Sequence, residues 1–363
     1  MARFTVPGLS ETGRTGRPQV NIGVLTMELT PRERVLTALL GKGEPDRVPW
    51  LEHEVQLQLQ LKLMGRPDFT PGELAAYLGL DGFGFSFPSG ISFDFYPPLM
   101  VARSTVEGVP MVGKGLLTGI ERLNDLNLPD PDRPQTYQQV REWLKAFKGD
   151  YAVYARIRSG IAPTYLSMGI ERFSYNLVDN PDFVHEVIHR YAGWTIRVLE
   201  HINELDFDFY WVADDLACNT GPLFSPGVFS EFFLPYLVKV VQAMHKPWIL
   251  HSDGNLEPLL PLLLPLGFQG LHPIDPSGMD IGEMKQKYGD KICLLGNIDL
   301  RHTLTRGTPR DVKQEVRNRI ARVAPGGRYI ITSANSLTDY CKPQNVLALG
   351  RCIKKYGSYP IQI

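Results

Sequence analysis

Pro247-Trp248-Ile249-Leu250-His251-Ser252-Asp253-Gly254 joins an apolar run, the length of a short buried strand, to a histidine and a carboxylate two residues apart. An imidazole and a carboxylate at that spacing bind one metal ion or share a proton. Without such a role, His251 and Asp253 would only hydrogen-bond a loop. Which applies depends on what else ends at the same edge.

Working outward, strand-like and helix-like segments alternate. Strands are predicted at Asp46–Leu51, Gly82–Phe87, Ala152–Ile157, Phe209–Ala213, Trp248–His251, Gly270–Pro273, Ile292–Gly296 and Tyr329–Ser333. Thr30-Pro31-Arg32-Glu33 is a capping box with proline at the first helical position, and Thr70-Pro71-Gly72-Glu73 repeats it. Further helices are predicted at Pro181–Glu204, Pro226–Ala243 and Pro309–Val323. Residues 88–130, rich in Phe, Tyr, Pro and Gly, break the alternation and read as an inserted hairpin or lid after the second strand. Eight strands separated by helices predict an α/β chain folded as a (β/α)8 TIM barrel, in one domain over 27–363. A doubly wound open sheet is the alternative, weakened because no glycine-rich phosphate loop follows the first strand.

In a barrel, the residues after each strand share one mouth, where such enzymes place their chemistry. The first strand brings Glu52, His53 and Glu54. Later strands bring Asp214 and Asp215, His251 and Asp253, His272 and Asp275, Asn297 and Asp299, and Asn335. Some have plain structural readings: Asp299 as a helix cap, Asp214-Asp215 as a turn cap, Glu231 as a solvated helix charge. Phe83, Phe85, Phe87, Phe93, Phe95 and Tyr96 read mostly as core at alternate positions, with Phe93, Phe95 and Tyr96 the candidates for an aromatic pocket wall.

Composition bounds the rest. The chain has 363 residues, 43% hydrophobic, with a formal net charge of -1. That balance gives no support for a nucleic-acid or membrane-surface partner. No stretch approaches about 18 unbroken apolar residues, so no membrane span is expected. Cys218, Cys293, Cys341 and Cys352 form no CxxC and suggest neither a disulfide framework nor a zinc finger. Residues 1–26 lack an apolar signal core and read as an extension before Met27, and a cytoplasmic setting is expected.

Leu29-Thr30-Pro31-Arg32-Glu33-Arg34-Val35 through Pro45-Asp46-Arg47-Val48-Pro49 resembles the opening of the uroporphyrinogen decarboxylase superfamily. Leu295-Gly296-Asn297-Ile298-Asp299, Gly307-Thr308-Pro309 and Pro343-Gln344-Asn345-Val346 extend the resemblance, which implies a (β/α)8 barrel. Members that decarboxylate porphyrinogens carry an arginine-rich segment after the first strand. Here that place reads Trp50-Leu51-Glu52-His53-Glu54, which would repel a polyanion. Their histidine after the last strand is replaced by Asn335. The other branch resembled is the zinc-dependent, corrinoid-linked methyltransferases, whose thiolate members use His-x-Cys and a later Cys. This chain keeps His251 but has Asp253 and Asn335 at the cysteine positions. It is similar in that respect to methyl aryl ether demethylases, whose zinc is held by carboxylates and a histidine.

The resemblance implies zinc at His251 with Asp215, Asp253 and Glu231 as candidate oxygen ligands, and Asn335 beside them. Glu52, Glu54, Phe93, Tyr96, His272 and Asn297 are the substrate-contact candidates. The function implied is methyl transfer from a small, methoxylated, aromatic substrate to the cobalt of a corrinoid (cobalamin) carried by a partner protein. A homodimer is compatible with this reading. The alternatives are a metal-free decarboxylase or lyase acting on a small acid, and a non-catalytic barrel that binds a ligand.

Overall fold

The computed structural model describes residues 28–85, 95–106 and 109–363, with side chains outside 103–112. Seven parallel strands form one curled α/β sheet: β1 (Gly82–Gly84), β2 (Ala152–Ile157), β3 (Phe209–Ala213), β4 (Trp248–His251), β5 (Gly270–His272), β6 (Cys293–Leu295) and β7 (Tyr329–Ile330), neighbours in that order. These seven fall inside the strands predicted from the alternating pattern. The predicted first strand, Asp46–Leu51, forms isolated bridges instead of a ladder. Trp50 pairs with Ile331, the Leu51 amide donates to the Ile331 carbonyl, and the Asp81 amide donates to the Trp50 carbonyl at 2.9 Å. Pro49 has no N–H to add to a ladder, which keeps the segment short. Its bonds nonetheless reach both β7 and the approach to β1.

Alternation along the strands separates two cores. Leu51, Ala152, Tyr154, Phe209, Trp211, Ile249, Cys293, Leu295 and Ile330 point inward and pack together. Intervening residues such as Tyr210, Val212, Leu250 and Leu294 pack against the surrounding helices. The helix Pro31–Leu39 starts in the predicted capping box, with Thr30 and Glu33 bonded reciprocally. It adds Val35, Ala38 and Leu39 to the inward core and so plugs the end where the strands begin. Its Arg34 is buried, with Nε 2.6 Å from Asp46 and Nη1 2.6 Å from Asp81.

After β1 the chain makes an antiparallel ribbon, Val101–Val106 against Val109–Gly115. Ser167, in the helix Ile161–Met168, ties its base: Oγ accepts from the Met100 amide and the carbonyl from the Leu117 amide. A Cβ at Gly115 would lie 2.3 Å from the Gly169 nitrogen, so this crossing requires glycine. Phe87, Phe93 and the extension 1–26 lie outside the described residues.

The predicted helix Pro226–Ala243 is divided. A turn Pro226–Val228 leads into a wider turn, Phe229–Phe233, and then the helix Leu234–Gln242. Pro235 lacks an N–H and clashes with the carbonyl four residues back. The turn opens so that the Leu234 amide bonds the Phe229 carbonyl, five residues back. Among the described residues no helix is long and apolar enough to cross a membrane.

Candidate metal and active site

The inward register continues one step past the hydrophobic layer. Leu51 leads to His53, Tyr154 to Arg156, Ile249 to His251 and Gly270 to His272. His53, His251 and His272 gather as stacked rings. Their centroids lie 4.7 Å apart for His53–His251 and 4.9 Å for His251–His272. Trp211, inward on β3, presents an edge-on contact to His272 at 4.8 Å and to His53 at 5.4 Å. β4 and β5 set His251 opposite His272, and their Nδ1 atoms are 2.7 Å apart. Burial holds the His251 imidazole below its usual range, against the pull of Asp215, and His272 well below it.

Above this layer stand two carboxylates. The Nε2 of His251 is 3.7 Å from Asp215 Oδ1 and 3.8 Å from Asp253 Oδ1. One ligand atom from each of Asp215, His251 and Asp253 lies within 4.8 Å of the others, an arrangement suited to a metal ion. The Asp253 amide donates to Asp215 Oδ1 at 3.1 Å, and Asn335 Nδ2 donates to Asp253 Oδ2 at 2.7 Å. Asp253 Oδ1 is buried with no hydrogen-bond partner. Burial, with Asp215 alongside, pushes the Asp253 carboxyl up to about 7. An unpartnered carboxylate oxygen, a second carboxylate and an imidazole nitrogen make a set that a divalent cation would satisfy. The residues present therefore fit zinc.

Other candidates stand elsewhere. Glu231 is exposed on the wide turn and lies outside this group of three. Pro235 sets that turn, which leaves the Glu231 side chain exposed to solvent. Glu52 is buried and faces the helix layer: Oε1 accepts from Trp50 Nε1 at 2.7 Å and Oε2 from Ser333 Oγ at 2.5 Å. Asn297 is also buried, and its Nδ2 donates to the Ile274 carbonyl at 2.6 Å. It braces a non-glycine residue at φ 50°. Phe95 is buried against Phe85, Tyr137 and Phe207. Tyr96 lies under Arg156 and Arg158, with guanidinium carbons 5.7 and 5.1 Å from its ring centre, and Glu54 is 3.1 Å from Arg156. Asp214 caps the helix Ile161–Met168 by accepting from the Ser159 and Ala162 amides. Asp299 caps its own turn by accepting from the His302 amide.

His53 stands in the ring cluster, although reading by residue type gave it no role. The period of two starting at Leu51 is the signal that locates it.

A cavity of about 640 Å³ adjoins the carboxylates. Asp253, Asn335, Cys218, Asp275, Arg301 and His302 are among its walls. That is room for a small molecule.

The comparisons with known proteins agree with this architecture. A methyltransferase from Methanosarcina mazei shares the fold, with a TM-score of 0.68 at 20% identity over 91% of this chain and 99% of that one. The methylcobamide:CoM methyltransferase MtaA of Methanosarcina barkeri is 29% identical over 147 residues, 40% of this chain and 41% of that protein. A uroporphyrinogen decarboxylase of Pseudoalteromonas translucida is 28% identical over 134 residues, 34% of this chain and 36% of that one. The matched stretch spans less than half the length of either of these two relatives. The uroporphyrinogen decarboxylase (URO-D) family model matches residues 100–356, and the chain belongs to that family.

Proposed function

We propose that this protein transfers a methyl group from a small methoxylated substrate to the cobalt of a corrinoid carried by a partner protein. The single observation behind this reading is the Asp215–His251–Asp253 group beside an open cavity. The similarity to a methylcobamide methyltransferase supports it. We take the architecture as a (β/α)8 barrel over 27–363, with residues 49–51 as the eighth strand, and the ribbon after β1 as a lid.

His251 Nε2, Asp215 and Asp253 would hold the zinc ion. Bound there, zinc supplies Lewis acidity to the oxygen that the methyl group leaves. The chain's own residues do the rest. Asn335 fixes Asp253 through Oδ2 and turns Oδ1 toward His251. The buried rings below keep water from that side of the site. The cavity walls hold the donor so that its methyl group faces the opening, where the reduced corrinoid arrives. Of the described aromatic candidates, Phe95 belongs to the core and Tyr96 is left to meet an aromatic donor.

The second reading is metal-free decarboxylation of a small acid. Arg156 and Arg158 near the mouth favour it, although Arg156 is paired with Glu54.

The test begins with metal analysis. Wild type is expected to carry about one zinc ion per chain and His251→Ala none. Equal zinc in both removes His251 from the site. Mixing the zinc protein with a reduced corrinoid protein and a panel of methoxyaryl and methylamine donors is expected to methylate the corrinoid, followed by its visible spectrum. No methylation by any donor, with acid decarboxylation in the absence of metal, makes the second reading the correct one.

A further inference from the structure

His251 and His272 meet through the same ring atom. Their Nδ1 atoms are 2.7 Å apart. A hydrogen bond between two imidazole nitrogens needs one N–H and one lone pair. At that separation a single hydrogen lies between the two buried rings.

Two arrangements satisfy that count. In one, His272 donates, and His251 keeps its own hydrogen on Nε2, facing Asp215 and Asp253. In the other, His251 donates from Nδ1, and its Nε2 turns a lone pair toward the carboxylates. Only the second can ligate a cation. Rotating a ring away is blocked by packing: His53 stacks on His251 with the rings 16° from parallel, and Trp211 abuts His272 edge-on. A carbonyl in place of His272 could only accept. A histidine serves both arrangements.

We infer that His272 is the positioning residue of the metal site: its Nδ1 accepts the hydrogen of His251 Nδ1 and so fixes the His251 tautomer that offers Nε2 to zinc. This rests on the zinc reading above. The hydrogens balance. On metal binding the His251 Nε2 hydrogen leaves to solvent, the hydrogen between the rings passes from His272 Nδ1 to His251 Nδ1, and one hydrogen is taken up from solvent at His272 Nε2. His272 then carries its hydrogen on Nε2, beside the Ser333 backbone. Each ring ends neutral. Partners of this kind are commonly worth 10–100-fold in metal affinity, as an order of magnitude.

The experiment titrates zinc into metal-free wild type, His272→Phe, and His272→Gln or His272→Asn. Melting temperatures of the metal-free forms control for lost packing. His272→Phe is expected to bind zinc about 10–100-fold more weakly. The amide variants, whose side-chain oxygen can accept, are expected to recover most of the loss. Nitrogen-15 spectra of histidine-labelled wild type need no variant. With zinc bound, His251 Nδ1 is expected to carry hydrogen and His272 Nδ1 to lack it. Zinc bound equally by wild type and a folded His272→Phe overturns this inference and leaves the zinc reading standing. So does a zinc-loaded spectrum with His251 Nδ1 unprotonated. If wild type binds no zinc, both fall.

Discussion

Glu52 sits one position from His53, and that single step turns its side chain from the mouth to the helix layer. There it accepts from Trp50 Nε1, the Ser333 amide and the Ser333 hydroxyl. Burial outweighs these donors and pushes its carboxyl from 4.5 up to about 7. The folded state thus holds the proton more tightly than the unfolded chain. Stability from this group is full below about pH 4.5 and falls as pH rises through 7, by about 3 kcal/mol at 1.36 kcal/mol per unit. Glu52→Gln keeps an acceptor for Trp50 and a donor for Ser333. The expected outcome is that urea unfolding of the variant shows a shallower fall than wild type between pH 5 and 7, the remaining fall belonging to Asp253. Equal slopes in both would remove Glu52 as its source. The same register argument shows what was legible here. His251, Asp253 and Asp215 follow from residue type after a strand, but residue type alone misplaced Glu52 toward the mouth. Glu231 was not decidable by spacing, because the wide turn before Pro235 changes which way a helix residue faces.

Among the elements, the helix Pro31–Leu39 has the clearest sequence signature and a structural purpose. Its capping box, proline and Arg34 belong to the motif that carries the family resemblance, yet none of them belongs to the candidate metal group Asp215–His251–Asp253. Arg34 bridges Asp46 and Asp81, both largely or wholly buried. Without Arg34, Asp81 keeps Arg47 at 2.8 Å, but the largely buried Asp46 loses its cation and is left uncompensated. Arg34→Ala is therefore expected to lower unfolding free energy by roughly 3 kcal/mol, the low end for a broken buried pair. Arg32 is half exposed, and its partner Asp208 keeps Lys148. Arg32→Ala is expected to cost less than about 1 kcal/mol. Chemical denaturation of both variants checks the contrast, and zinc affinity is expected to stay unchanged in each. The strands were legible because apolar runs with turn signals recur at regular intervals. The period of 46–51 predicts a full strand. Pro49 lacks the amide that a ladder needs there, and period carries no information about that.

For the whole molecule, the metal-free state sets Asp215 beside Asp253, whose carboxyl is pushed up to about 7. A cation relieves that crowding in the folded chain alone. Zinc at about 100 times its dissociation constant is expected to add about 2.7 kcal/mol to unfolding stability. The melting temperature is expected to climb with the logarithm of free zinc in wild type and to stay flat in His251→Ala. Parallel climbs in the two proteins would place the stabilising zinc elsewhere.

The plug formed by Val35, Ala38 and Leu39 has a kinetic consequence. On the proposed barrel and methyl transfer, a tube stopped at one end has one doorway, so the donor, its demethylated remnant and the carrier of the cobalt would all use the same threshold. The carrier, once seated, is the cork. Turnover on that proposal would run in a compulsory order, with the donor inside before the carrier arrives and the remnant released only after it departs. Excess carrier is expected to slow the steady-state rate instead of saturating it, and rate curves against carrier concentration at low donor would show that decline.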